Sequence, residues 1–127
     1  MNLYVTLGAK DVAVAHAFYD QVLATIAWSS HANFPGWRGY SAEGLGEGPT
    51  VWVCTPFNGE QASAGNGVMV AFPAASRAEV DAFYAAAMAQ GAQDEGAAGP
   101  RADYGPNWYA AYMRDPTGNK IAVVYNG

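Results

Sequence analysis

One cysteine (Cys54) and two histidines (His16 and His31) are all that 127 residues offer of the side chains that build most metal and redox sites. A single cysteine rules out an intrachain disulfide and every multi-cysteine zinc spacing. The two histidines form no His-x-x-x-His or His-Glu-x-x-His pair. Charge is scarce as well: charged residues make up 13% of the chain, against about 25% in ordinary soluble domains. Six Lys and Arg against eleven Asp and Glu leave a net charge of −5. With no basic patch, neither nucleic acid nor an anionic membrane is expected as a partner. The apolar runs are far too short to span a bilayer. Met1-Asn2-Leu3-Tyr4 lacks the basic and apolar regions of a signal peptide. A lone thiol and no export signal suit the cytoplasm. The Gly-x-Gly-x-x-Gly loop, the Walker-type loop and the Gly-x-Ser-x-Gly elbow are all missing.

What the chain has is a repeat. Phe83-Tyr84 follows Phe18-Tyr19 by 65 residues, and the segments around them share one pattern. Tyr4 to Asp11 aligns with Met69 to Ser76, each an apolar run leading to a helix-capping residue. Val12 to Leu23 aligns with Arg77 to Met88. Self-similarity at half the chain length predicts two copies of one unit, within a single domain spanning residues 1–127. In the first copy, residues 2–55, Asn2 to Leu7 reads as a strand. Asp11 caps a helix over Val12 to about Leu23, whose apolar row is Val14, Phe18 and Val22. Strands are expected at Thr25–Ser29, Gly36–Ser41 and Thr50–Thr55, the last rich in β-branched residues. Residues 56–66 read as a linker.

The second copy, residues 67–125, begins with a strand at Gly67–Phe72. Ser76 and Glu79 form a capping box. The helix it opens buries Val80, Phe83, Tyr84, Ala87 and Met88 in an amphipathic stripe, and Gly91 stops it. A short strand over Ala92–Glu95 and a long loop over residues 96–106 come next. Strands at Trp108–Arg114 and Lys120–Tyr125 follow, joined by Asp115-Pro116-Thr117-Gly118-Asn119. In that turn Pro116 sets φ, Gly118 permits φ > 0 and Asp115 can bond its own backbone. Each half therefore reads βαβββ, an α+β pattern.

Two βαβββ units with an Asp-Pro-x-Gly-Asn turn before the last strand resemble the vicinal-oxygen-chelate superfamily, the glyoxalase, bleomycin-resistance and extradiol-dioxygenase group. The resemblance covers nearly the whole chain and is most specific in Ser76–Tyr84, Gly99-Pro100-Arg101, Tyr104, Trp108–Tyr112 and Asp115–Asn119. It implies two tandem modules forming a curved, partly closed mixed β-sheet with helices outside, and a homodimer. In metal-dependent members the first and last strands of each repeat supply ligands on the concave face, usually His, Glu or Gln. The resemblance places those positions on Tyr4, Trp52, Met69 and Ala122. Indole and methyl groups are not ligands, and a thioether suits zinc or manganese poorly. Tyr4 alone makes no site. The expectation is no metal and no cofactor, and a lined pocket where an ion cage would be.

The pocket is expected to be walled by Tyr4, Trp52, Met69 and Tyr109, with Arg101 and Tyr104 at its rim. Arg101 suits a carboxylate or phosphate fork, and equally suits pinning its own loop. Alternation sends Trp108 and Tyr112 to one sheet face and Tyr109 to the other; the sequence leaves open which looks toward the pocket. Cys54 has no histidine near it in sequence, so a buried inert thiol is expected. His16, with Asp20 one turn on, reads as a solvated helix face, and His31 as a surface turn residue. The leading function is metal-free binding of a small apolar or aromatic molecule. A second is a lyase or isomerase, with Tyr4 or Tyr104 as acid or base and Arg101 stabilising an oxyanion. A third is a dimerising or partner-binding module without ligand.

Overall fold

The computed structural model describes residues 1–127. The first module comprises β1 (Tyr4–Gly8), α1 (Val12–Ala24), β2 (Trp28–Phe34), β3 (Trp37–Ala42) and β4 (Thr50–Cys54). The second comprises β5 (Met69–Pro73), α2 (Arg77–Ala89), β6 (Gln93–Pro100), β7 (Tyr109–Arg114) and β8 (Lys120–Tyr125). The 65-residue offset holds for the starts of β1 and β5, α1 and α2, and β2 and β6. Both helices begin as expected. Asp11 accepts from the Val14 amide and Ser76 from the Glu79 amide. Glu79 reaches back to the Ala75 amide, one residue before the cap.

The α+β fold of two tandem βαβββ modules stands as the sequence implied. Its eight strands do not join in one partly closed sheet. They form two four-stranded mixed sheets, ordered β1-β4-β3-β2 and β5-β8-β7-β6. In each, the module's first and last strands run parallel and the remaining pairs antiparallel. The helices stand outside the sheets, packed on one side of each with their far faces exposed. Phe18, Tyr19 and Val22 of α1, Val80 and Phe83 of α2, and strand residues of both sheets belong to one buried cluster. Trp28 of β2 meets Phe72 of β5 edge-on at 5.5 Å, and Phe72 meets Phe83 at 5.9 Å. Each sheet thus turns one face toward the helices and the shared core, and the other face away from it. The cause is pattern: Leu7, Val51 and Val53, and Phe72, Ile121 and Val123, alternate with residues of the opposite face.

Two strands differ from expectation. β2 extends to Phe34 and takes in His31, and β6 extends to Pro100, through residues expected to be loop. Both carry register irregularities, at Ser30/Ala32 in β2 and at Asp94/Gly96 and Gly96/Gly99 in β6. A bulge breaks the two-residue alternation by which a strand is recognised. His16 is buried, 7% exposed, and its Nε2 lies 2.9 Å from the Val53 carbonyl. The reading of His16 as a solvated residue is corrected. α1 is broad-faced, so Ala15 and His16 both turn inward while Val14 is 48% exposed.

The turn between β7 and β8 locks the modules together. Asp115 is buried, and its Oδ1 accepts from the amides of Thr117, Gly118 and Asn119. Its Oδ2 accepts from the Tyr19 hydroxyl at 2.7 Å and from Asn119 Nδ2 at 2.9 Å. Asn119 Nδ2 also donates to Gly8 O, and the Lys10 amide donates to Thr117 Oγ1. Burial, reinforced by the Asp115 charge, holds the Tyr19 phenol well above its ordinary pKa, so it remains a donor. Removing the carboxylate orphans several buried donors at once. Asp115→Ala is expected to lose at least about 3 kcal/mol of unfolding free energy in urea, and a loss under about 1 kcal/mol would refute the role of this lock.

Candidate ligand-binding site

On the outward face of the first sheet stand Tyr4 and Thr6 of β1, Trp52 and Cys54 of β4, and Trp37 and Gly39 of β3, cross-strand neighbours by register. Trp52 is the centre. Its indole stacks on Phe34 at 6.2 Å with planes 24° apart, tilts against Trp37 at 6.2 Å, and meets His31 edge-on at 5.7 Å. Tyr4, Phe34, Trp37 and Trp52 alone line an apolar concavity of about 470 Å³. Tyr4 is 54% and Phe34 61% exposed. A second hollow of about 430 Å³ adjoins it across Tyr4 and Trp52, with His31, Glu47, Asn2 and Thr50 adding polar groups. The face therefore offers flat apolar walls beside a polar end, the usual make-up of a small-molecule site.

His31 was not anticipated here. It lies on β2, not in a surface turn, with its ring beside Trp52. The only sequence sign was its place between serines and the aromatic Phe34, too weak to separate it from a loop residue.

The second sheet treats the same face differently. Met69 pairs with Lys120, Ala71 with Ala122, and Ala122 with Tyr112, so these residues share the outward face. The loop after β6 folds over it. The Arg101 guanidinium lies 5.4 Å from the Tyr112 ring centroid, and Trp108 Nε1 donates to the Tyr112 hydroxyl. Arg101 is spent on its own loop, donating to the carbonyls of Ala97, Gly99 and Pro100. A Cβ on Gly96 would come within 3.0 Å of Arg101 Nη2, so glycine there admits the guanidinium. Of the two readings of Arg101, loop pinning is the one its contacts fit. Tyr104 packs edge-on against Trp108 and lines a small hollow with Arg101.

Tyr109 is corrected outright. It belongs to the helix side of β7, where its hydroxyl donates to Asp81 of α2 at 2.7 Å and Arg77 lies over its ring. Alternation therefore sends Tyr112, not Tyr109, to the outward face. Tyr4 and Trp52 are brought together. Met69 lies on the other sheet, and Arg101 and Tyr104 border a hollow of their own.

The metal positions implied by the resemblance divide the same way, Tyr4 and Trp52 on one sheet and Met69 and Ala122 on the other. No three His, Cys, Asp or Glu side chains come together as an ion would require. A phenol, an indole, a thioether and a methyl group do not make a ligand set for a divalent metal.

No family model matches this chain, and no curated protein does. Solved structures do. A glyoxalase/bleomycin resistance protein from Albidiferax ferrireducens T118 is 33% identical, covers 98% of each chain and superposes with a TM-score of 0.86. The chain belongs to the glyoxalase/bleomycin resistance family. A glyoxalase/bleomycin resistance protein/dioxygenase family enzyme from Burkholderia phytofirmans PsJN is 19% identical, with 98% of this chain and 97% of that one aligned and a TM-score of 0.71. A lactoylglutathione lyase from Agrobacterium tumefaciens is 23% identical over 98% and 92%, with a TM-score of 0.65. These two share the fold. In this chain the outward face of the first sheet carries an aromatic lining around Trp52.

Cys54 shares the Trp52 face but is buried, in a hollow with Thr6, Trp37, Pro56, Phe57 and Ala62. Burial pushes its thiol up to about 11. At pH 8 that leaves about one thiolate per thousand. Its reaction with a disulfide reagent is expected to run about a hundredfold slower in the folded protein than in denaturant. Equal rates would show that the thiol is accessible and ionised.

Proposed function

We propose that this protein binds a small aromatic or apolar molecule on the outward face of its first sheet, without a resident metal ion. The observation that carries the reading is the Trp52 cluster. Four aromatic side chains wall one concavity, and two of them are more than half exposed. Aromatic surface left in water is costly, at about 25 cal/mol per Å², and such a patch marks an interaction site. Flat walls at stacking distance suit a planar ring. Trp52→Ala is expected to weaken binding of a naphthalene probe at least about tenfold, with the urea midpoint nearly unchanged. Unaltered affinity in the folded variant would overturn this reading, as would one tightly held metal per subunit on elemental analysis of protein purified without chelator.

We also propose a homodimer. The two outward faces of one chain turn away from each other, so Met69, Arg101 and Tyr104 can face Tyr4 and Trp52 only across a subunit boundary. β1 and β5 are edge strands with one unpaired side each, a template for pairing between chains. The low charge of the chain favours such contact. Sedimentation at micromolar concentration is expected to give twice the 13.3 kDa chain mass. A monomer at every concentration would reject the dimer and leave the aromatic face as the whole site. The lone free thiol suits a reducing compartment such as the cytoplasm.

A further inference from the structure

We infer that His31 is the polar recognition group of the aromatic face, and that the ligand is a planar, uncharged aromatic molecule with a hydrogen-bond acceptor at one end. The inference rests on the proposed binding role of that face and names what it selects.

The imidazole occupies a slot that glycine leaves open on two sides. A Cβ on Gly39 would lie 3.1 Å from His31 Cε1, and one on Gly46 would lie 3.1 Å from its Cδ2. Glycine on both sides lets the ring fit edgewise between strand β3 and the loop after it, with Trp52 on a third side. Gly46 takes φ +70, and the loop that delivers it opens at Glu43, a non-glycine residue at φ 56. Backbone in that region is unfavourable for a residue with a Cβ, and persists where the surroundings hold it.

Hydrogen bonding then decides which way the ring donates. Ser41 is fully buried, and its Oγ accepts from the Gly46 amide at 2.8 Å. The remaining partner of that hydroxyl is His31 Nδ1, at 3.0 Å. A buried hydroxyl proton needs an acceptor, so Ser41 donates to Nδ1 and the ring carries its proton on Nε2. No protein group receives that proton. Nε2–H lies at the edge of the half-buried ring that lines the second hollow, with Tyr4 and Trp52 as the border to the apolar concavity.

A fixed donor beside flat apolar walls selects an acceptor attached to a ring. Glu47 lines the same hollow, and the chain carries a net charge of −5. Both disfavour an anion. A ring carbonyl, aryl ketone or aryl amide fits where a carboxylate does not.

The test uses three probes with one ring system: naphthalene, 2-acetylnaphthalene and 2-naphthoate, followed by equilibrium dialysis against the full-length protein. The ketone is expected to bind about tenfold more tightly than naphthalene, and the carboxylate no better than naphthalene. His31→Phe keeps a ring in the slot without the donor, so the preference for the ketone over naphthalene should fall from about tenfold to about one. Gly46→Ala leaves every donor in the chain but displaces the imidazole, and is expected to give the same loss of selectivity. Urea midpoints for each variant separate a lost donor from a lost fold. Equal binding of ketone and naphthalene by the unaltered protein overturns the role of His31 and leaves the aromatic face standing. Preference for the carboxylate overturns the uncharged ligand. Failure of all three to bind removes the aromatic face and the role of His31 together.

Discussion

A single buried carboxylate holds this fold together. Asp115 receives three backbone amides of its own turn on one oxygen, and Tyr19 and Asn119 on the other. The turn is local, but Tyr19 belongs to the other module, and Asn119 passes the connection on to Gly8 at the end of β1. A charge taken out of water is tolerated only when every lone pair is engaged. That requirement forces the β7–β8 turn, α1 and the end of β1 into one arrangement. Phe18, Phe72 and Phe83 then pack across the interior on a frame already set.

That arrangement explains why the two modules, alike in order and spacing, present unlike surfaces. Both sheets give one face to the shared interior, so both have an outward face to cover. The second covers its own. Gly96 lacks a side chain, Arg101 enters the space and clamps three carbonyls, and Trp108 and Arg101 close on Tyr112. The first has no such loop. Its long connection, from Glu43 to Pro49, instead delivers Gly46 against Ser41 and His31 and leaves Trp52 open between aromatic neighbours. One copy of the repeat is partly covered by its own loop and the other leaves its aromatic residues exposed.

Much of this was legible beforehand because it is written in local chemistry. The offset of 65 residues, the caps at Asp11 and Ser76 and the Asp-Pro-x-Gly-Asn turn each depend on residues within a few positions of one another. Tyr4 and Trp52, placed on one face by the family resemblance, do share it, because β1 and β4 are short and pair in regular register. Bulged strands defeated the reading by alternation. β2 and β6 lose their alternation at Ser30 and Gly96, which hid His31 in an apparent turn and half of β6 in an apparent loop. Tyr109 failed for another reason: alternation separates it from Tyr112 without saying which of the two faces α2 covers.

The amino-acid order by itself determined the two βαβββ units and their boundaries at the helix caps. These follow from what each side chain is and from hydrogen bonds that close within a turn. Only the tertiary structure decided that both helices pack on one shared core, that Met69 and Trp52 stand on different sheets, and that the His31 ring lies beside the indole. Those facts depend on contacts between residues far apart in the chain, such as Tyr19 with Asp115 and Trp28 with Phe72. Their energies belong to the packed whole and to no single segment.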